Sequence, residues 1–266
     1  MKDLLIRTAS GALYITILLG SLFLSKTAFI LVILILGALT CIEYSRLNKL
    51  SWWLGIPLLA VVFAMLHYLN FPQEITLVIV GIATVVNLYL IYWLLKRPAA
   101  VSNLFSRIIF IACIIFGFAA ISLIPMEAAN FRKEVMLGIL LMLWANDTFA
   151  YLVGSNFGKT KLMPSVSPKK TVEGFIGGTL GAMALAIVLS FFYESFSLIM
   201  WCTLALIVIV FGSIGDLVQS RFKRIAGVKD SGEIMPGHGG IYDRLDSLIF
   251  TAPFVYLYLI FVCYVS

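Results

Sequence analysis

Charge is scarce in this sequence. Asp, Glu, Lys and Arg make up 12% of its 266 residues while 62% are hydrophobic and mean hydropathy is +1.05; soluble domains carry roughly 25% charge. An ordinary soluble globule is thereby excluded, and a polytopic membrane protein is implied. Cysteine is also rare: Cys41, Cys113, Cys202 and Cys263 all lie in apolar runs with no C-x-x-C spacing, which removes zinc and dithiol chemistry and leaves them as small packing residues. Of the two histidines, His67 lies in an apolar run near Asn70 and Pro72 and reads as an interfacial side chain rather than a metal ligand. There is no 20–50 residue repeat. There is no P-loop either, because Gly154 and Gly158-Lys159-Thr160 leave three residues between the glycines where that loop needs four. The net charge of +6 suits an anionic lipid surface and gives no reason to invoke nucleic acid.

What is present in abundance is long apolar runs. Crossing a bilayer takes roughly 17–25 residues, and charged, Pro or Asn breaks divide the chain into nine such segments: 8–24, 27–46, 52–69, 74–95, 104–124, 132–154, 172–193, 196–219 and 247–265. The expectation is an all-α polytopic membrane protein of about nine transmembrane helices, one integral unit whose residues 1–140 are membrane helices and whose residues 141–266 carry the polar motifs. The basic, apolar start reads as a retained first helix rather than a cleaved signal. Lys and Arg then fix an orientation. Sixteen of the 19 fall on one side of this layout, and only Lys26, Arg132 and Lys133 on the other. By the positive-inside rule the N-terminus is cytoplasmic and the C-terminus, Ser266, lies opposite.

Two stretches break the apolar pattern. The first, Gly215 to Asp246, packs five cations (Arg221, Lys223, Arg224, Lys229, Arg244), five acids (Asp216, Asp230, Glu233, Asp243, Asp246) and His238 between two spans. Asp243 and Asp246 are three apart and share a helical face. With Asp216 they offer hard oxygen ligands for Mg²⁺ or Mn²⁺, an ion that commonly completes its shell with substrate phosphate. The cations offer charge-assisted donors to phosphate, and Pro236-Gly237-His238-Gly239-Gly240 is a turn that lets backbone approach a ligand. The second stretch, Trp144 to Gly178, supplies Lys159, Lys161, Lys169 and Lys170, the hydroxyl of Ser167, and a helix start at Thr171 with Glu173 close behind. Carboxylates within spans are costly and seldom idle. Glu43, Asp147 and Asp216, with Glu173, Asp243 and Asp246, gather six acids near the cytoplasmic face, predicting a polar site there.

At these residues a family resemblance becomes plain. Ser220-x-Phe222-Lys223-Arg224, then Lys229-Asp230-x-Gly232, then Pro236-x-His238-Gly239-Gly240-Ile241-x-Asp243-Arg244-Leu245-Asp246 resembles the signature of the phosphatidate cytidylyltransferases, or CDP-diacylglycerol synthases. Met235 departs from the usual Leu, Ile or Phe but keeps size and apolarity. Asp147-x-x-x-Tyr151, Gly158-Lys159, Ser167-Pro168-Lys169-Lys170-Thr171-x-Glu173-Gly174 and Gly215-Asp216-Leu217 are also similar to that family; over residues 1–140 the likeness is one of hydropathy alone.

The resemblance implies an integral enzyme of the bacterial cytoplasmic membrane that turns CTP and phosphatidate into CDP-diacylglycerol and pyrophosphate. Asp216, Lys223, Asp243 and Asp246 are then expected to be catalytic, the three aspartates holding the divalent ion. Ser167, Lys169, Lys170, Ser220, Arg221, Arg224, Lys229, His238 and Arg244 are expected to bind substrate, with Asp147, Glu173 and Asp230 in support. The expected partners are CTP, phosphatidate and membrane lipid, with self-association into a homo-oligomer left open. The competing class is an ion or anion transporter, which also places acids in spans but requires a polar path on both sides of the midplane.

Overall fold

A computed structural model describes residues 2–69, 72–96, 100–127, 130–194 and 196–265; Asn70, Arg97 and Ser266, and the side chain of Cys263, lie outside what it describes. Within the described residues nine helices follow one another: α1 Lys2–Leu24, α2 Lys26–Leu47, α3 Gly55–His67, α4 Gln73–Lys96, α5 Asn103–Leu123, α6 Lys133–Phe157, α7 Val172–Phe192, α8 Leu198–Ile225 and α9 Tyr242–Val265. Hydrocarbon cannot hydrogen-bond a backbone, so an apolar run of this length satisfies itself as a helix. Hydroxyls mark several starts: Ser25 accepts from Ala28 N–H at 3.0 Å, Ser102 from Phe105 N–H at 3.2 Å, Thr171 from Gly174 N–H at 3.1 Å and Ser197 from Met200 N–H at 3.3 Å.

Contacts at the helix ends show that the nine alternate in direction. At one end Tyr44 Oη donates to Ser106 O at 3.1 Å, the Trp93 and Phe222 rings stack at 4.7 Å, and Arg224 Nε donates to Val166 O at 3.3 Å. At the other end His67 Nε2 meets Ser122 Oγ at 2.9 Å, Phe29 lies 6.0 Å from Phe131, and Trp201 Nε1 donates to Tyr193 O at 3.4 Å. The connections after α2, α4, α6 and α8 therefore share one end with the start of α1, and that end carries the basic loops.

Eight of the helices are long and apolar enough to cross a membrane. The expected span 52–69 is the exception: a 3₁₀ turn at Trp52–Leu54 precedes a helix of 13 residues, about 20 Å of rise. The other departures are extensions. The bilayer limits the apolar run and not the helix, so α8 runs to Ile225 and carries Ser220, Arg221, Lys223 and Arg224 on helical faces, and α9 begins at Tyr242, placing Asp243 and Asp246 in its first two turns. The all-helical expectation is qualified by two antiparallel hairpins, β1 Met126–Glu127 with β2 Asn130–Phe131, and β3 Lys161–Met163 with β4 Ser167–Thr171, where Lys161 pairs Thr171 and Met163 pairs Ser167.

The second hairpin matters because it joins α6 to α7, and these two helices run close together. A Cβ added at Gly177 would sit 2.4 Å from Val153, and one at Gly178 would sit 2.6 Å from Asn146 Oδ1. Small residues let backbones approach where lipid gives no hydrophobic drive for helix association. The pair is thereby a stiff mount for β4, and β4 delivers Lys170.

Candidate active site

The polar end is built around Asp243, in the first turn of α9. Its Oδ1 accepts from Lys223 Nζ at 2.7 Å and Gln219 Nε2 at 2.9 Å, both from α8, while Oδ2 accepts from Ser231 N–H at 2.8 Å and Gly240 N–H at 3.0 Å. One carboxylate thus ties two helices to the loop between them. Gly239, at φ +85°, folds that loop back; a side chain there would be strained, and its Cβ would lie 2.8 Å from Asp243 Oδ2.

Glu43 on α2 holds the same loop from the far side. It is 1% exposed, and its carboxylate accepts from Ile241 N–H at 3.0 Å, Tyr242 N–H at 2.8 Å and Ser231 Oγ at 3.2 Å. The open amides at the start of α9 carry partial positive charge, so a buried anion finds its complement there without a Lys or Arg.

One turn further along, Asp216 on α8 and Asp246 on α9 lie within each other's electrostatic reach. Asp216 pairs with Lys170 and accepts from Ser220 Oγ at 3.1 Å. Asp246 takes the N–H of Ser247 at 2.7 Å, its one hydrogen bond among the described residues. Burial alone would lower the Lys170 pKa; the charge and hydrogen bond of Asp216, with Asp246 and Asp147 behind it, outweigh burial and hold the ammonium above its ordinary value. Beside this cluster a cavity of about 420 Å³ opens between α6, α7 and α8, with Asp147, Tyr151, Lys161, Lys169, Lys170 and Ser213 in its wall.

The remaining candidates fall into place unequally. Lys169 reaches this cavity, Ser167 opens β4, and Arg221 is half-buried on α8. Arg224 ties Val166 O to Val228 O, at 3.3 and 3.2 Å. Arg244 donates to His238 O at 2.7 Å, and His238 Nδ1 meets Ser10 Oγ at 2.9 Å. Burial, with the charges of Arg244 and Arg7, keeps the His238 imidazole below its usual pKa. Glu173 is committed elsewhere, accepting from Lys159 N–H at 3.0 Å and Thr160 N–H at 3.0 Å, so the amides after α6 are filled by the chain itself. Lys229 and Asp230 are exposed on the connecting loop. Gln219 and Ser231 went unmarked in the sequence, and Glu43 was visible there only as an acid in an apolar run; its partners lie 188 to 199 residues away.

Among the described residues, no three His, Cys, Asp or Glu side chains form a group that could hold a metal ion. The geometry divides the expected trio. Asp243 spends both oxygens on four donors, whereas Asp216 pairs with Lys170 and Ser220, and Asp246, within electrostatic reach of Asp216, takes a single backbone amide; two neighbouring carboxylates of this kind offer hard oxygen ligands to a divalent cation.

A helical membrane bundle that concentrates paired acids and amines at one end has the makings of an integral membrane enzyme acting on phosphate groups, where charge neutralisation and positioning dominate the chemistry. The chain belongs to the cytidylyltransferase family, whose model matches residues 5–262. A Bacillus subtilis (strain 168) protein named phosphatidate cytidylyltransferase is 33% identical over 271 residues, covering 97% of this chain and 98% of that protein. Proteins of the same name from Staphylococcus haemolyticus (strain JCSC1435) and Staphylococcus aureus (strain COL) are 51% identical over 122 residues and 46% identical over 136 residues. Those two matches span 46% and 52% of the staphylococcal proteins' lengths, and 45% and 50% of this chain. No observation here favours the transport alternative.

Proposed function

We propose that this chain is a phosphatidate cytidylyltransferase, converting CTP and phosphatidate to CDP-diacylglycerol and pyrophosphate within phospholipid biosynthesis. A phosphate oxygen of phosphatidate attacks the α-phosphorus of CTP. The new O–P bond forms as the bond to the β-phosphate oxygen breaks, and pyrophosphate leaves. The attacking group is already an anion, so no protein nucleophile is needed; the protein brings two polyanions together and offsets their charge. The observation that carries this reading is Lys170, delivered by β4 onto Asp216 beside Asp246: an ammonium held charged at a pair of carboxylates is a ready phosphate clamp. Lys223 acts on the charge of Asp216 and Arg244 on that of Asp147, and Lys169 and Lys161 line the adjoining cavity.

Asp216 and Asp246 are the residues to which we assign Mg²⁺ or Mn²⁺; Asp243, anticipated as a third ligand, would have to release Lys223 or an amide to join them. An ion held there would supply positive charge to offset that of the substrates' phosphates. The excess of 16 basic residues over 3 supports placing this end, with the N-terminus, in the cytoplasm of a bacterial cell and the C-terminus opposite.

The test is incubation of purified protein with labelled CTP, phosphatidate and Mg²⁺. A lipid-soluble cytidine product with equimolar pyrophosphate is expected. Loss of product in EDTA, restored by excess Mg²⁺, would support the ion assignment, and turnover indifferent to chelation would remove it. Absence of any lipid-soluble cytidine across phosphatidate chain lengths would overturn the function.

A further inference from the structure

A second hollow, of about 370 Å³, lies on the other side of the 234–241 loop, between α1 and α2. Leu13, Tyr14 and Ile17 line it from α1, and Val32, Ile35 and Leu39 from α2; Ile17 lies three and four residues on from Tyr14 and Leu13, and the α2 residues are three and four apart, so each set shares a helical face. Leu13 is 62% exposed, Ile17 47% and Ile35 58%, so the groove stands open along its flank, where the surrounding medium is lipid. Small-molecule sites pair an apolar body with a few convergent polar groups, and this groove has its polar groups at one end only. There Ser10 lines it and bonds to Pro236 O at 3.0 Å and to His238, Arg7 lies over Gly237, and Arg244 is held on His238 O.

Two features join the groove to the carboxylates. Tyr14 belongs to the groove wall yet lies within electrostatic reach of Arg244 and Asp246. Met235 and Ile241 face the groove, while Gly240 between them donates its amide to Asp243; the loop is a partition with lipid on one face and the reactive centre on the other. An amphipathic ligand with one anionic head and a long apolar tail matches this order of surfaces, and the cationic end fits its charge.

We propose that the groove between α1 and α2 holds an acyl chain of the phosphatidate substrate, admitted sideways from the leaflet, with its phosphate drawn past Tyr14 toward Arg244 and the Asp216–Asp246 pair. This rests on phosphatidate being the substrate. Lipid tails are as apolar as the groove, so seating the chain gains little hydrophobic energy. The groove acts instead by fixing the depth and direction of the head relative to the nucleotide, a term in which small misplacements cost large factors in rate.

Narrowing the groove with Ile17→Trp or Leu13→Trp should raise the apparent KM for a dioleoyl phosphatidate by roughly tenfold relative to a dihexanoyl one. Val61→Trp, on a lipid-facing position of α3 that is 53% exposed, should not alter that ratio. Independently of turnover, a phosphatidate carrying a photoreactive group midway along its acyl chain should label residues 10–17 and 32–39, in competition with unlabelled phosphatidate but not with phosphatidylcholine. An unchanged chain-length ratio in both tryptophan variants, or labelling that phosphatidylcholine competes equally, would overturn the groove. So would cross-linking of two chains through a cysteine at Leu13, which would show a second copy covering it. A wild-type protein inactive on every phosphatidate would defeat the function instead, and the labelling would still decide the groove.

Discussion

Glu43 takes three hydrogen bonds from the residues that also position Asp243: Ser231 supplies its hydroxyl to Glu43 and its amide to Asp243, and Ile241 and Tyr242 begin the helix on which Asp243 stands. Glu43→Gln keeps the shape but turns one acceptor oxygen into a donor facing other donors. The expected cost is about 1–3 kcal/mol of stability, read as a lower unfolding temperature in detergent, with a lower kcat and little change in the KM for CTP. A full-rate Glu43→Gln enzyme would show that Asp243 does not depend on this support. Lys223 is 9% exposed and paired to Asp243 at 2.7 Å; removing one partner of a buried pair costs about 3–5 kcal/mol, so Asp243→Ala should both destabilise and inactivate. Lys170→Glu should bring a further negative charge onto Asp216, Asp246 and Asp147, and turnover should fall below detection at any Mg²⁺ concentration.

Helix pairs carry the next level of prediction. The α6 and α7 helices touch through Gly154, Gly174, Gly177 and Gly178, and a Cβ at Gly174 would come within 2.8 Å of Ala150 O. Gly174→Val should part the two helices near Thr171 and carry Lys170 away from Asp216. Turnover should drop at least tenfold, whereas Gly20→Val, where a Cβ meets nothing within 4 Å, should leave it unaltered. The start of α1 is latched to the loop through Ser10 and His238. Because the folded protein holds His238 below its ordinary pKa, the unfolded chain binds the extra proton first. Stability should therefore be full above that ordinary value, about 6.5, and decline as pH falls through it. His238→Asn should flatten this decline, and an unchanged melting profile between pH 5 and 7 would show that the latch does not titrate.

For the whole molecule, the prediction is sidedness. Cysteines placed at the exposed Ser165 and Ala226, with the native cysteines replaced, should label from the cytoplasmic side, and one at the exposed Thr27 from the other; labelling of Ser165 and Ala226 from opposite faces would split the site. Much of this layout was legible because the bilayer writes itself into the sequence. Apolar runs and charge bias gave nine alternating helices, and the spacing of Asp243 and Asp246 gave a shared face. The reach of α8 to Ile225 was hidden because polar residues such as Lys223 leave the hydropathy signal while remaining helical. The commitments of Glu43 and Asp243 were hidden because they depend on folding partners far apart in sequence. That separation sets an order in time. Glu43 leaves the ribosome in the second helix, and the residues that satisfy it follow 188 to 199 positions later; at roughly 5–20 residues per second, the nascent chain spends on the order of ten seconds or more with a carboxylate near the membrane surface and no amide to receive it. The final helix thus closes a contact begun by the second, and a chain interrupted before Tyr242 would carry that unmet carboxylate as a mark by which quality control could tell it from a finished one.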